Sequence, residues 1–174
     1  AQKSAELIRP FNERDIDLIF VARSWPRPVK NFQMVKKIVA RNRGLKIHIV
    51  GQCDSRINSA VQHGLVVDRE KLFALLARTK TLVCPSIFDA APGVLYEASV
   101  MGCNVVASKK CGNWKLVNQA LLVDPFRYRE FQKKIELSLE QKYHDNLKFF
   151  MNSHSYDDLI NVMGVFLKDM NSNE

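Results

Sequence analysis

No stretch of this chain approaches the roughly 20 consecutive apolar residues that a membrane-spanning helix needs, and Ala1 to Glu6 carries no apolar segment of the secretory type. The four cysteines, Cys53, Cys84, Cys103 and Cys111, include no pair at C-x-x-C spacing, which argues against a zinc ribbon or a dithiol redox motif. Cys84 and Cys103 lie in apolar runs and read as small buried residues, and reduced cysteines fit a cytoplasmic compartment. The four histidines, His48, His63, His144 and His154, show no metal-ligand spacing, and none reads as catalytic. Neither G-x-x-x-x-G-K-[ST] nor G-x-G-x-x-G occurs, which counts against a phosphate-loop NTPase and a dinucleotide oxidoreductase. Repeats and low-complexity segments are absent. Aromatic residues make up only 9% and do not interleave with a basic face, so nucleic-acid binding is disfavoured.

What is present is ordinary for a globular domain: 47% hydrophobic and 25% charged residues over a length of 174, enough for one compact unit with a full core. The chain begins at Ala1 rather than Met and reads as a piece of something longer. Its net charge of +8 favours anionic partners, whether nucleic acid, phosphorylated small molecules or acidic lipid headgroups, without choosing among them, and suits peripheral association with a membrane.

Strands and helices alternate. Asp17 to Ala22 is an apolar run that reads as a buried strand, and Phe32, Val35, Ile38 and Val39 recur at helical spacing within Val29 to Arg43. Gly44 is expected to close that helix, and Lys46 to Val50 is the second strand, completing a βαβ unit. A third strand is expected near Ala60 to Val66, then a helix capped by Asp68 and running to about Arg78. Thr81 to Cys84 is a strand stopped by Pro85. Gly93 to Met101 is a helix stopped by Gly102, and Asn104 to Ala107 is another strand. A short helix over Asn113 to Val117 and a strand over Ala120 to Val123 follow, and Asp124-Pro125 turns the chain into a helix near Arg127 to Leu139. Gln141 to Met151 is polar and helical in pattern, and Ser155 caps a final amphipathic helix through Leu159, Val162, Met163 and Phe166. This order predicts an α/β fold: a doubly wound parallel sheet of about six strands with helices on both faces, whose ligands sit beyond the carboxyl ends of the strands.

The stretch with most chemical content is Pro85-Ser86-Ile87-Phe88-Asp89-Ala90-Ala91-Pro92-Gly93-Val94-Leu95-Tyr96-Glu97-Ala98. A strand ends, a loop carries one carboxylate, a helix opens at a glycine, and a second carboxylate stands eight residues after the first. The free amides of Gly93, Val94 and Leu95 at the helix start favour a phosphate. Two carboxylates repel phosphate, but they suit the hydroxyls of a sugar and a ribose, at roughly 1.5–3 kcal/mol per charged hydrogen bond.

The segment from Asp89 to Glu97 resembles the E-x7-E motif of retaining GT-B glycosyltransferases, in particular glycosyltransferase family 4. The frame Pro85, Ser86, Asp89, Glu97, Ala98, Gly102, Val105, Val106 and Ala107 follows the family's register. The first acid is Asp in place of Glu, Gly93 lies one residue later than the family glycine, and Asn104 stands where a proline is usual. A second element, Val21-Ala22-Arg23 followed by Lys30-Asn31, is similar to the family's first-strand G-R-x-x-x-x-K, with Ala22 for Gly and two extra residues in Trp25-Pro26-Arg27-Pro28. Lys110 to Val117 stands where the family has G-G-x-x-E-x-V, with Lys115 at the Glu position. Gly64-Leu65 resembles the turn that precedes the nucleobase loop.

The resemblance implies a Rossmann-like half of a GT-B fold, a single nucleotide-sugar-binding domain over residues 1–174. Residues 1–15 would be an interdomain linker, and residues 155–170 a terminal helix crossing to a missing N-terminal acceptor domain. It implies transfer of a hexosyl unit from a nucleotide diphosphate sugar to an acceptor hydroxyl with retention, in polysaccharide, lipopolysaccharide or glycolipid synthesis. The expected location is the cytoplasm, at the inner face of a membrane. Asp89 would touch the donor sugar and Glu97 the ribose. Arg23 and Lys30 would neutralise the diphosphate, Gly93, Val94 and Leu95 would offer amides, and Gly64 and Leu65 would flank the base. No metal, cofactor or nucleic acid is implied, and little transfer is expected of the piece alone. A binding or interaction domain that kept the fold but lost transfer is the alternative, motivated by Asp89 and Lys115.

Overall fold

A computed structural model describes residues 8–143. The expected helix over Gln141 to Met151, apart from its first residues, and the terminal helix from Ser155 lie outside them, as do residues 1–7 of the expected linker. The strands are β1 (Ile16–Ser24), β2 (Ile47–Gln52), β3 (Val61–Gln62), β4 (Thr79–Cys84), β5 (Asn104–Ser108) and β6 (Leu122–Val123). They form one sheet in the order β3-β2-β1-β4-β5-β6, and every pair is parallel. The helices are α1 (Phe32–Arg41), α2 (Arg69–Ala77), α3 (Val94–Val100) and α4 (Tyr128–Glu140); α1 packs on α4 and α2 on α3. The expected doubly wound α/β sheet is therefore present. Every residue of β5 is buried, as a strand covered on both faces requires.

Several element boundaries differ from the sequence reading. The helix expected from Val29 is split: Pro28–Lys30 form a 3-10 turn, and Asn31 at φ 57° turns the chain before α1 begins at Phe32. Asn42, not Gly44, ends α1; its side-chain amide donates to the Ile38 carbonyl at 2.8 Å. The third strand shrinks to two residues at the sheet edge. The strand expected from Ala120 opens instead as a 3-10 turn, Gln119–Leu121. Asp68 caps α2 as expected, accepting from the N–H groups of Glu70 and Lys71 at 2.9 and 3.4 Å. Gly102, at φ 73°, ends α3 as expected.

Asn104 explains its place where proline is usual. Fully buried, it donates through Nδ2 to the carbonyls of Ser138 and Gln141 at 2.6 and 2.8 Å, and its Oδ1 accepts from the Tyr143 N–H at 2.9 Å. The start of β5 thus holds the end of α4. On the same side of the sheet, buried Arg14 donates to the carbonyls of Arg9, Thr79 and Met101 at 3.0, 2.7 and 2.9 Å, fixing the entering chain. Among the described residues no helix is long and apolar enough to cross a membrane.

Candidate functional site

The strand order reverses direction between β1 and β4, and in doubly wound sheets the crevice beyond the carboxyl ends at that point is where ligands bind. A cleft of about 490 Å³ opens there. Its walls include Arg23 from the end of β1, Lys30 from the 3-10 turn that follows, Leu65 from the β3–α2 loop, Arg69 from α2, Asp89 and Gly93 from the β4–α3 loop, and Val94 and Glu97 from α3. Residues far apart in sequence therefore converge on one cavity. Gly64 and Leu95 are not among its lining.

Arg23 owes its direction to a bulge. Four residues of β1, Val21 to Ser24, run opposite three of β2, Val50 to Gln52, and such a bulge re-aims the side chain it carries. The backbones approach so closely that a Cβ on Gly51 would lie 1.8 Å from the Ala22 carbonyl oxygen, which only glycine tolerates. Trp25 anchors the following loop. It is buried, donates Nε1–H to the Val50 carbonyl at 3.0 Å and stacks on Phe32 with centroids 5.4 Å apart.

Lys30 is ion-paired with Asp89 through Nζ and Oδ2, both side chains largely buried at 17% and 16% exposure. The main chain fixes both partners. Asn31, adjacent to Lys30, donates from Nδ2 to the carbonyls of Pro85 and Pro125, each at 3.0 Å, and the Ile87 N–H donates to the Val29 carbonyl at 2.8 Å. Asp89 pairs strand-fashion with the 110–112 loop: its N–H donates to the Lys110 carbonyl at 3.3 Å, and its carbonyl accepts from the Gly112 N–H at 2.8 Å. A Cβ on Gly112 would fall 1.8 Å from the Ala90 carbonyl oxygen, so glycine there permits the contact. Beneath this bridge the Cys84 and Cys111 thiols lie 3.8 Å apart, both buried.

Glu97 stands in the first turn of α3 with 13% of its side chain exposed, and Arg69 Nη1 lies 3.2 Å from its Oε1. Burial raises the Glu97 carboxyl above its ordinary pKa, and the Arg69 charge works against that rise. Glu97 is therefore no solvated surface acid. At the start of α3 only part of the expected amide array is free: the Leu95 N–H donates to the Pro92 carbonyl at 3.1 Å, and its buried side chain belongs to the core. The N–H groups of Gly93 and Val94 donate to no group among the described residues.

Sequence reasoning passed over Arg69, which looks like an ordinary first-turn residue beside the Asp68 cap. It also gave Asn31 no bonding role and did not pair His48 with His63. Those rings, on β2 and just past β3, meet with Nδ1 of His48 3.0 Å from Nε2 of His63. Among the described residues no group of three or more His, Cys, Asp or Glu side chains could hold a metal. The excess charge has one source. Between Leu18 and Cys53 there are eight Lys and Arg and no Asp or Glu, so this segment alone carries a charge equal to the net +8. Arg23 and Lys30 are its members in the cleft.

The sequence profile of the family described as glycosyl transferases group 1 matches residues 15–141, which span the whole sheet and the cleft. The chain belongs to that family. Three solved structures share the fold. A sucrose-phosphate synthase from Thermosynechococcus elongatus is 17% identical at a TM-score of 0.62, over 100% of this chain and 50% of that one. A glycosyltransferase from Rickettsia africae ESF-5 is 14% identical at 0.66, over 92% and 49%. WaaG, a glycosyltransferase involved in lipopolysaccharide biosynthesis, is 18% identical at 0.67, over 89% and 48%. At these identities the likeness is one of fold, the Rossmann-like unit of GT-B glycosyltransferases, and the chain spans about half the length of each. No curated protein matches.

Proposed function

We propose that this chain is the donor-binding, C-terminal domain of a retaining glycosyltransferase of family 4, which moves a hexosyl unit from a nucleotide diphosphate sugar to an acceptor hydroxyl. The observation that carries this reading is the convergence of Arg23, Lys30, Asp89 and Glu97 on one cleft at the switch point of the sheet. Negative charge grows on the leaving diphosphate during transfer. Arg23, re-aimed by its bulge and free of any ion pair among the described residues, meets that charge through a planar fork of donors. Lys30 adds a point charge when a phosphate replaces Asp89 as its partner. Asp89 then turns to a sugar hydroxyl, while Glu97 accepts from the ribose. The amides of Gly93 and Val94 lie on the same wall, with Leu65 on the nucleobase side. Arg23 and Lys30 meet the phosphate charge without a metal or cofactor. The acceptor site belongs to an N-terminal domain, reached through a linker at residues 1–15 and a terminal helix at 155–170. The work is placed in the cytoplasm at the inner face of a membrane, with the basic surface toward anionic lipid, in polysaccharide, lipopolysaccharide or glycolipid synthesis.

The competing reading is a domain that binds nucleotide sugar without transfer; the closed Lys30–Asp89 pair favours it, since it occupies the acid meant for the sugar. Calorimetric titration with UDP-, GDP- and ADP-sugars and the corresponding nucleoside diphosphates tests the donor site. Asp89→Asn is expected to weaken the nucleotide sugar by about 1–3 kcal/mol and leave the bare nucleotide nearly unchanged, whereas Glu97→Gln weakens both. Arg23→Ala is expected to weaken both ligands, by about 1.5–3 kcal/mol. Equal losses for both ligands in Asp89→Asn would remove Asp89 from the sugar site. Transfer by a full-length enzyme but not by this chain separates the two readings.

A further inference from the structure

Glu97 is the more buried member of its ion pair, and only one of its oxygens is engaged. Oε1 faces Arg69 at 3.2 Å, while Oε2 accepts no hydrogen bond among the described residues and belongs to a side chain that lines the cleft. A carboxylate with 13% exposure and a free oxygen is costly to keep charged unless a cation stands beside it. The other ionisable side chains lining the cavity cannot serve: Lys30 and Asp89 are paired with each other, and Arg23 has no ion pair with Glu97. Arg69 is the first residue of α2, the helix that packs against α3, so its position is set by a helix contact rather than by a loose loop. The Asp68 cap fixes that first turn.

We infer that Arg69 is a positioning residue of the nucleoside site, whose guanidinium holds the Glu97 carboxylate by Oε1 and leaves Oε2 aimed into the cleft for the vicinal hydroxyls of a ribose. This rests on the reading of the cleft as a nucleotide-sugar site. Arg69 touches the acid and not the reacting atoms, so its removal changes how well the pocket tells ribose from a sugar without those hydroxyls. It also changes the pH at which the pocket works. Burial raises the Glu97 carboxyl and Arg69 opposes the rise. Without Arg69 the carboxyl titrates higher, and nucleotide binding fails at a higher pH as the solution is acidified.

The test titrates the 174-residue chain with UDP, GDP and ADP and with their 2′,3′-dideoxy counterparts between pH 5 and 8, as wild type, R69Q, R69K and E97Q. R69Q is expected to lose about tenfold in affinity for the preferred ribonucleotide and less than about twofold for its dideoxy form. Its acid limb moves upward, and R69K recovers most of the affinity. Carbon-detected titration of the Glu97 carboxyl in the ligand-free protein gives a second readout, expected to move upward in R69Q, with thermal melts confirming the fold. An unchanged ribose preference in R69Q, or an unmoved Glu97 titration, overturns the inference. If E97Q loses ribose preference and R69Q does not, Arg69 alone fails and the donor site stands. If wild type binds no nucleotide or nucleotide sugar, the donor-site reading fails and takes this inference with it.

Discussion

Lys30 and Asp89 meet at one corner of the cleft, Arg69 and Glu97 at the other, and the two corners are held by different means. Around Asp89 the backbone does the holding: two hydrogen bonds to the 110–112 loop, two from Asn31 to the carbonyls of Pro85 and Pro125, and one from Ile87 to Val29. Around Glu97 the peptide groups belong to helix α3 and the carboxylate is held by one side-chain pair, with 37% of the Arg69 side chain exposed. A backbone scaffold resists changes of pH and salt. A partly exposed charge pair responds to both. In the proposed donor site, the sugar corner is thus built for fixed geometry and the nucleoside corner for adjustable charge.

The comparison breaks most sharply at Gly112. Gly112→Ala puts a methyl group against the Ala90 carbonyl, 1.8 Å away without relaxation, so the loops must part. A stability loss of about 3 kcal/mol is expected from this overpacking, read as a fall in melting temperature, together with loss of nucleotide-sugar binding. Bare nucleotide binding should survive in the folded fraction. If both ligands were lost together, the two corners would not be separately supported. A smaller effect is expected at Asn31, where Ala removes the donor to two carbonyls and must itself adopt φ 57°. The loss should be about 2 kcal/mol in chemical denaturation.

The smallest effect sharpens the other corner. Because burial raises the Glu97 carboxyl, the folded state favours its protonated form. That stabilisation is complete below the unfolded pKa and is lost as pH rises through the raised folded value. Glu97→Gln is neutral at every pH and escapes the loss, while the partly exposed Arg69 gives up little. Melting curves should place the variant slightly above wild type at neutral pH, with the difference vanishing in acid. A variant less stable at neutral pH would make the ion pair a net support of the fold.

How much of this was legible beforehand follows from what each residue depends on. The sheet and the Asp68 cap depend on local pattern and were readable from it, while the convergence of Arg23, Lys30, Asp89 and Glu97 was readable only through the resemblance of their two motifs to one family. Arg69 was not, because its role exists only once α2 lies against α3; in sequence it is one more charged residue in a first turn. The same holds for Asn31, whose left-handed turn splits an apparently continuous helical pattern, and for His48 and His63, joined only by strand pairing. The expected free amide of Leu95 is engaged because a turn back to the Pro92 carbonyl begins the hydrogen bonding one residue before Gly93. Gly64 lies one step outside the cleft, its carbonyl held by the Gly51 N–H at 2.6 Å.

The strand-like bridge beneath Asp89 has a consequence for variation of this protein. It grips residue 89 by its peptide groups and leaves the carboxylate, among the described residues, to Lys30 alone, so the position works as a socket. The carboxyl group can be moved outward by one methylene with Asp89→Glu without asking the backbone bridge to reorganise. On the proposed reading of the cleft, the length of that one side chain becomes a dial for which sugars fit, set independently of the backbone bridge that keeps the loop in place.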